Sequence, residues 1–115
     1  MSIKIYHNPR CSKSRQTLQL LKEHQVKPEI FEYLKTPPSH EELEQVLDML
    51  GLEPRELMRT KEKEYKEQAL DNTDLSRDQL IDAMLATPKL IERPIVIKDG
   101  KAAIGRPPEK VLELL

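Results

Sequence analysis

Ile3-Lys4-Ile5-Tyr6-His7-Asn8-Pro9-Arg10-Cys11-Ser12-Lys13-Ser14-Arg15 passes from an apolar strand pattern, Ile3 to Tyr6, into a helical pattern that continues through Leu18 and Leu21. The only cysteine of the chain stands at the junction. A strand-to-helix turn sets Cys11 beside the unpaired amide N–H groups of a helix start and the positive end of its dipole, and both favour a thiolate over a thiol. Arg10, Lys13 and Arg15 add positive charge. The same amides bind oxyanions, so one turn offers a nucleophile and an anion cradle together. A lone cysteine is most often a small buried hydrophobe. Pro9, Arg10, Ser12 and Lys13 do not look like core neighbours, however, and Cys11 is read as the reactive residue. Ser14, one helical turn further on, is close enough for its hydroxyl to bond the sulfur. His7 is a candidate base or donor to the thiolate, although a loop histidine is as often a turn residue.

Beyond this junction the spacing predicts a helix from about Ser12 to His24, broken by Pro28, and a strand over Glu29-Ile30-Phe31-Glu32-Tyr33-Leu34. Strand, helix and strand within about thirty residues imply a parallel crossover unit. Ser39-His40-Glu41-Glu42 is a capping box that opens an amphipathic helix through Leu43, Val46, Leu47 and Leu50, ended by Gly51. Pro54 starts a short helix running to Arg59. In Lys61-Glu62-Lys63-Glu64-Tyr65-Lys66-Glu67 the signs alternate, which reads as a solvated helix face rather than a binding patch. Asp71 to Asp74 form a turn. Ser76-Arg77-Asp78-Gln79 is a second capping box, for a helix that lasts until Pro88. Arg93 to Lys98 and Lys101 to Ile104 read as two strands joined at Asp99-Gly100, a strong hairpin signal. Gly105-Arg106-Pro107-Pro108-Glu109 leads into a last helix carrying Val111, Leu112 and Leu115. The order predicts an α/β, thioredoxin-like fold: a four-stranded mixed sheet with a helical insert between the second and third strands, as one domain over residues 1–115.

A chain of 115 residues has room for one modest core, and with only 3% aromatic residues that core must be built from Leu, Ile, Val and Met. Nineteen basic against twenty acidic residues leave no electrostatic footprint for nucleic acid or an anionic membrane. Any anion site is therefore local. One cysteine cannot form an internal disulfide, and neither a membrane-length apolar run nor a signal-peptide pattern is present. A soluble, cytoplasmic protein, acting as a monomer, is expected.

The run from His7 to Arg15 resembles the active-site loop of the glutaredoxin-dependent arsenate reductase (ArsC) family, His-Asn-Pro-x-Cys-x-x-Ser-Arg. The resemblance continues in Tyr33-Leu34 with Thr36-Pro37-Pro38, Glu56-Leu57-Met58-Arg59, Gln79-Leu80-Ile81-Asp82, Arg93-Pro94-Ile95-Val96 and Gly105-Arg106-Pro107. It implies that Arg59, Arg93 and Arg106 converge on Cys11 and its oxyanion, and that Pro94 occupies the cis-proline position of thioredoxin-like folds. Arginines suit the task, because a hydrated, phosphate-shaped dianion needs planar, bidentate donors. It further implies arsenate as substrate, glutathione as co-substrate and glutaredoxin as partner, with no bound cofactor or metal. The chain is closer to the shorter, chromosomally encoded branch than to the plasmid-type enzymes, which carry a longer tail. Two other readings share these features: a glutathione-linked thiol oxidoreductase with another substrate, and an Spx-like regulator that binds RNA polymerase. Spx-type proteins commonly carry Cys-x-x-Cys, and here Ser14 occupies the second position.

Overall fold

The computed structural model describes residues 3–115. They form two compact units: the chain up to Thr36 together with Arg93–Leu115, and the insert Pro37–Glu92.

The first unit is built on a sheet of four strands, β1 (Ile3–Tyr6), β2 (Glu29–Phe31), β3 (Ile95–Lys98) and β4 (Lys101–Ile104), in the order β2-β1-β3-β4. β1 and β2 are parallel, joined through α1 (Ser12–Glu23), while β3 is antiparallel to both β1 and β4. This is the thioredoxin-like mixed sheet expected from the sequence. Asp99 and Gly100 both take positive φ, 50° and 79°, the pair of left-handed residues that a two-residue hairpin turn requires. Ile5, Leu21, Val96 and Val111 make the buried centre, with Ile3, Leu18, Val26, Ala103 and Leu114 packed around them.

Two expectations need correction here. The strand over Glu29–Leu34 ends at Phe31, because the chain turns there: the N–H of Tyr33 bonds the Phe31 carbonyl and that of Lys35 bonds the Glu32 carbonyl. The turn sends the Tyr33 ring inward onto Tyr6, with centroids 6.1 Å apart, so apolar alternation was satisfied by a turn rather than by a longer strand. The last segment, Pro108–Leu114, is a 3₁₀ helix rather than an α-helix. Its bonds run from Lys110 N–H to the Pro107 carbonyl and from Leu115 N–H to the Leu112 carbonyl. Two adjacent prolines remove donors from its first turn, and Val111 anchors it in the core.

The second unit is helical. Both capping boxes form as the sequence predicts: Ser39 with Glu42 opens α2 (His40–Leu50), and Ser76 with Gln79 opens α5 (Arg77–Ala86). Gly51 closes α2 in the left-handed conformation, φ 69°. Between them lie α3 (Pro54–Leu57) and α4 (Lys63–Glu67). Leu43, Val46, Leu47, Leu57, Leu80, Ile81, Met84 and Leu90 are buried. α3 stops two residues earlier than the sequence suggests, since Met58 is extended and bridges Ile91. No helix among the described residues is long and apolar enough to cross a membrane.

Candidate active site

The loop between β1 and α1 is folded by its own polar groups. Asn8 organises it: its side-chain Oδ1 accepts from the Arg10 N–H at 3.0 Å, and its carbonyl accepts from the Cys11 N–H at 3.0 Å. This tight turn delivers Cys11 to the N-cap of α1, with extended backbone angles (φ −93°, ψ 123°) and no capping bond from its own side chain. The sulfur is therefore not consumed by the helix it starts. The thiol is free of any disulfide and only 8% exposed.

Arg106 reaches this sulfur. Its Nη2 lies 3.8 Å from Cys11 Sγ, and its Nε donates to the Arg93 carbonyl at 2.8 Å, which fixes the plane of the guanidinium. The Arg93–Pro94 and Arg106–Pro107 peptides are both cis. Arg93 thus contributes its backbone to holding Arg106, and its own Nε and Nη1 are shielded from solvent. Arg59 belongs to the second unit, where its guanidinium is engaged by Glu62 and Glu92.

His7 and Ser14 pair with each other. The Ser14 hydroxyl lies 2.7 Å from His7 Nδ1 and also accepts the Asn8 N–H at 3.0 Å; both side chains are buried. The bond from Ser14 to the sulfur expected from the sequence is replaced by this arrangement, which ties the loop to the first turn of α1. Burial holds the His7 pKa below its ordinary 6.5; Glu32 opposes that shift and Lys22 adds to it. His7 is consequently a neutral imidazole near pH 7. With the folded-state pKa lowered, the unfolded chain binds more protons just below pH 6.5, so stability falls as pH drops through that range. Thermal melts between about pH 7.5 and 5.5 should show this decline, and His7→Gln should flatten it. An unchanged slope in the variant would remove His7 as its source.

Gly105 and Thr17 were not legible as parts of the site. A Cβ on Gly105 would lie 2.5 Å from Thr17 Oγ1 and 2.8 Å from Pro94 Cγ. Neither neighbour can yield cheaply, since Thr17 is buried and donates to the Lys13 carbonyl at 2.8 Å, and Pro94 is buried behind a cis peptide. Glycine is thus required immediately before Arg106 by close approach rather than by φ. Gly105→Ala is expected to destabilise by about 1–3 kcal/mol, at roughly 4 °C of melting temperature per kcal/mol. A melt within 1 °C or so of the parent would show that the site relaxes freely.

Among the described residues, His40, Glu44 and Asp78 bring three potential ligand atoms within 4.8 Å of one another on the second unit. Glu44 is already paired with Arg77 at 3.2 Å, and the group reads as a surface ion-pair cluster.

Comparison with known proteins bears on this geometry. The pattern of the ArsC family matches residues 6–114. The chain is 58% identical over 114 residues to the Escherichia coli K12 protein YfgD, covering 98% of this chain and 96% of that one. It is 52% identical over 116 residues to a Haemophilus influenzae protein named arsenate reductase, covering both chains completely. The solved structure of an arsenate reductase from Vibrio cholerae superposes with a TM-score of 0.98 at 55% identity, over 100% of this chain and 98% of that one.

Proposed function

Since the chain belongs to the ArsC family, we propose that it reduces arsenate to arsenite through Cys11, with glutathione and glutaredoxin supplying the electrons. One observation carries the reading beyond kinship: a guanidinium fixed by a backbone carbonyl stands 3.8 Å from a sulfur at a helix N-cap. Such a pair suits a thiolate that must meet an oxyanion. Arg106 lowers the repulsion between two negative partners and can hold an arsenate oxygen as the As–S bond forms.

The proposed cycle balances as follows. The Cys11 thiolate attacks arsenic, and one arsenate oxygen leaves as water after protonation. Glutathione displaces a second oxygen, also lost as water, and gives a Cys11–S–As–S–glutathione adduct at As(V). The two sulfurs then join as a mixed disulfide through one of the two S–As bonding pairs; the other pair stays on arsenic as its lone pair, reducing it to As(III), which takes up one water and leaves as arsenite. A glutaredoxin thiol attacks the glutathione sulfur and restores Cys11. The chain has one cysteine, so no internal thiol can do this last step.

The test is arsenate-dependent NADPH oxidation in two mixtures. With glutathione, glutaredoxin and glutathione reductase, sustained turnover is expected; with thioredoxin and its reductase alone, none. Turnover with thioredoxin alone would overturn the assignment of electron donor, and no arsenate dependence in either mixture would overturn the substrate.

A further inference from the structure

The near-zero net charge of the chain conceals a segregation. The sheet unit carries twelve basic and six acidic residues, the insert seven basic and fourteen acidic. Within the insert the cations are engaged: Arg59, Arg77 and Lys89 pair with carboxylates, and Arg55 donates to the Leu70 and Asn72 carbonyls. Around Cys11 they are not. Among the described residues, no hydrogen bond or ion pair engages the side chains of Arg10, Lys13 or Arg15.

Two of these cations open a groove of about 660 Å³ that lies wholly within the sheet unit. One wall is α1, where Lys13, Gln16, Leu20 and Glu23 recur at helical spacing along one stripe, with Arg15 and Gln19 beside them. The facing wall is Pro107, Pro108 and Glu109. Both walls start next to the sulfur. Lys13 follows Cys11 by two residues, and Pro107 is joined to Arg106, whose Nη2 lies 3.8 Å from Sγ. From Lys13 to Glu23 the helix rises ~15 Å, enough to seat a tripeptide, which stretches to ~11 Å. The volume falls in the range of small-molecule sites, roughly 300–1,000 Å³.

The lining changes character along the groove. Cations stand at the first turn of α1, the amides of Gln16 and Gln19 in the middle, and the Glu23 carboxylate at the last turn, with Glu109 across from the helix. A simple oxyanion has no use for the amides and is repelled by the carboxylates. An anionic peptide with a free ammonium uses all three. We propose that this groove is the subsite of the external thiol that releases Cys11, a peptide of the size and charge of glutathione. Its carboxylates meet Lys13 and Arg15, its peptide groups meet Gln16 and Gln19, each of which offers donor and acceptor, and its ammonium faces Glu23 and Glu109. The assignment rests on the reading above that an external thiol serves Cys11, and it is independent of whether arsenate is the substrate.

Thiol–disulfide exchange on the whole reduced chain, without arsenate, reads the groove directly. The Cys11 thiolate attacks one sulfur of oxidised glutathione, a mixed disulfide forms, and one glutathione thiolate leaves. Rates followed by intact mass are compared for three disulfides: oxidised glutathione, dithiodipropionate, which is anionic but has no peptide group, and the neutral bis(hydroxyethyl) disulfide. Oxidised glutathione should react about tenfold faster than the neutral disulfide and clearly faster than dithiodipropionate. Gln19→Trp, at an exposed position of α1, fills the groove. It should slow oxidised glutathione by at least about fivefold and leave the other two within about twofold. Lys13→Gln with Arg15→Gln should slow both anionic disulfides relative to the neutral one, whose rate reports the reactivity of the sulfur and the integrity of the fold. Equal acceleration of dithiodipropionate and glutathione in the parent would reduce the effect to a general field and overturn the subsite. So would an unchanged glutathione rate in Gln19→Trp, or an equal loss with all three disulfides. Absence of arsenate turnover alongside intact glutathione selectivity would overturn the substrate and support the subsite.

Discussion

Cys11→Ser is expected to lose arsenate turnover by at least ~10³-fold, down to the assay background, while the protein stays folded and still binds arsenate. The oxygen of serine is not ionised near neutral pH, and it cannot form the As–S bond or leave as half of a disulfide with glutathione. The fold should tolerate the change well. Cys11 occupies the N-cap of α1 without making a capping bond, and serine is among the best residues at that position. Stability should therefore hold or rise by a few tenths of a kcal/mol. The combination is informative: an inactive variant that melts no lower than the parent places the loss in chemistry rather than in folding. Activity retained in Cys11→Ser would refute the nucleophile.

Arg106→Ala is expected to have the next largest effect. Its guanidinium touches the sulfur and is oriented by the Arg93 carbonyl, so its removal takes away both a counter-charge for the thiolate and a donor to the oxyanion. A lost hydrogen bond to a charged group costs about 1.5–3 kcal/mol, or a fall in kcat/KM for arsenate of roughly 10- to 150-fold. Arg106→Lys should restore little of this. A single ammonium cannot bond the Arg93 carbonyl through one nitrogen while presenting another to sulfur and anion, which is what the guanidinium fork allows. Kinetics for arsenate at saturating glutathione and glutaredoxin measure the loss. If lysine rescues fully, Arg106 acts as a point charge and its observed orientation is irrelevant to turnover.

Much of this architecture was legible in the sequence because its determinants are local. The capping boxes at Ser39 and Ser76, the Asp99-Gly100 turn and the strand-to-helix junction at Cys11 each form from residues within a few positions of one another. What escaped was decided at a distance. β2 ends early because Tyr33 finds the Tyr6 ring, a contact no window of sequence displays. Gly105 looks like a plain turn glycine until Thr17 and Pro94 are seen against it. The run from Lys61 to Glu67 reads as solvated alternating charge, yet Glu62 and Glu64 pair with Lys89, far along the chain, and Glu62 turns back to Arg59. Ser14 shows the limit of spacing arguments within the motif itself. One turn after Cys11, it faces His7 and the Asn8 amide, and so supports the loop that presents the sulfur rather than the sulfur directly. Of the three arginines that the resemblance names, Arg106 is the one that reaches the sulfur, and it shares with Arg93 a place directly before a proline beside the hairpin, a local mark that Arg59 lacks.

In the proposed cycle one protein sulfur passes through an arsenic adduct into a mixed disulfide with an external thiol. This passage is tested most directly by intact mass of the protein after incubation with arsenate and glutathione, with glutaredoxin left out. The chain is expected to gain the mass of one glutathione, on Cys11 and only when arsenate is present, with one arsenite released per protein, and glutaredoxin is expected then to remove the added mass. An unmodified chain accompanied by arsenite release, or a glutathione adduct that forms equally without arsenate, would contradict it.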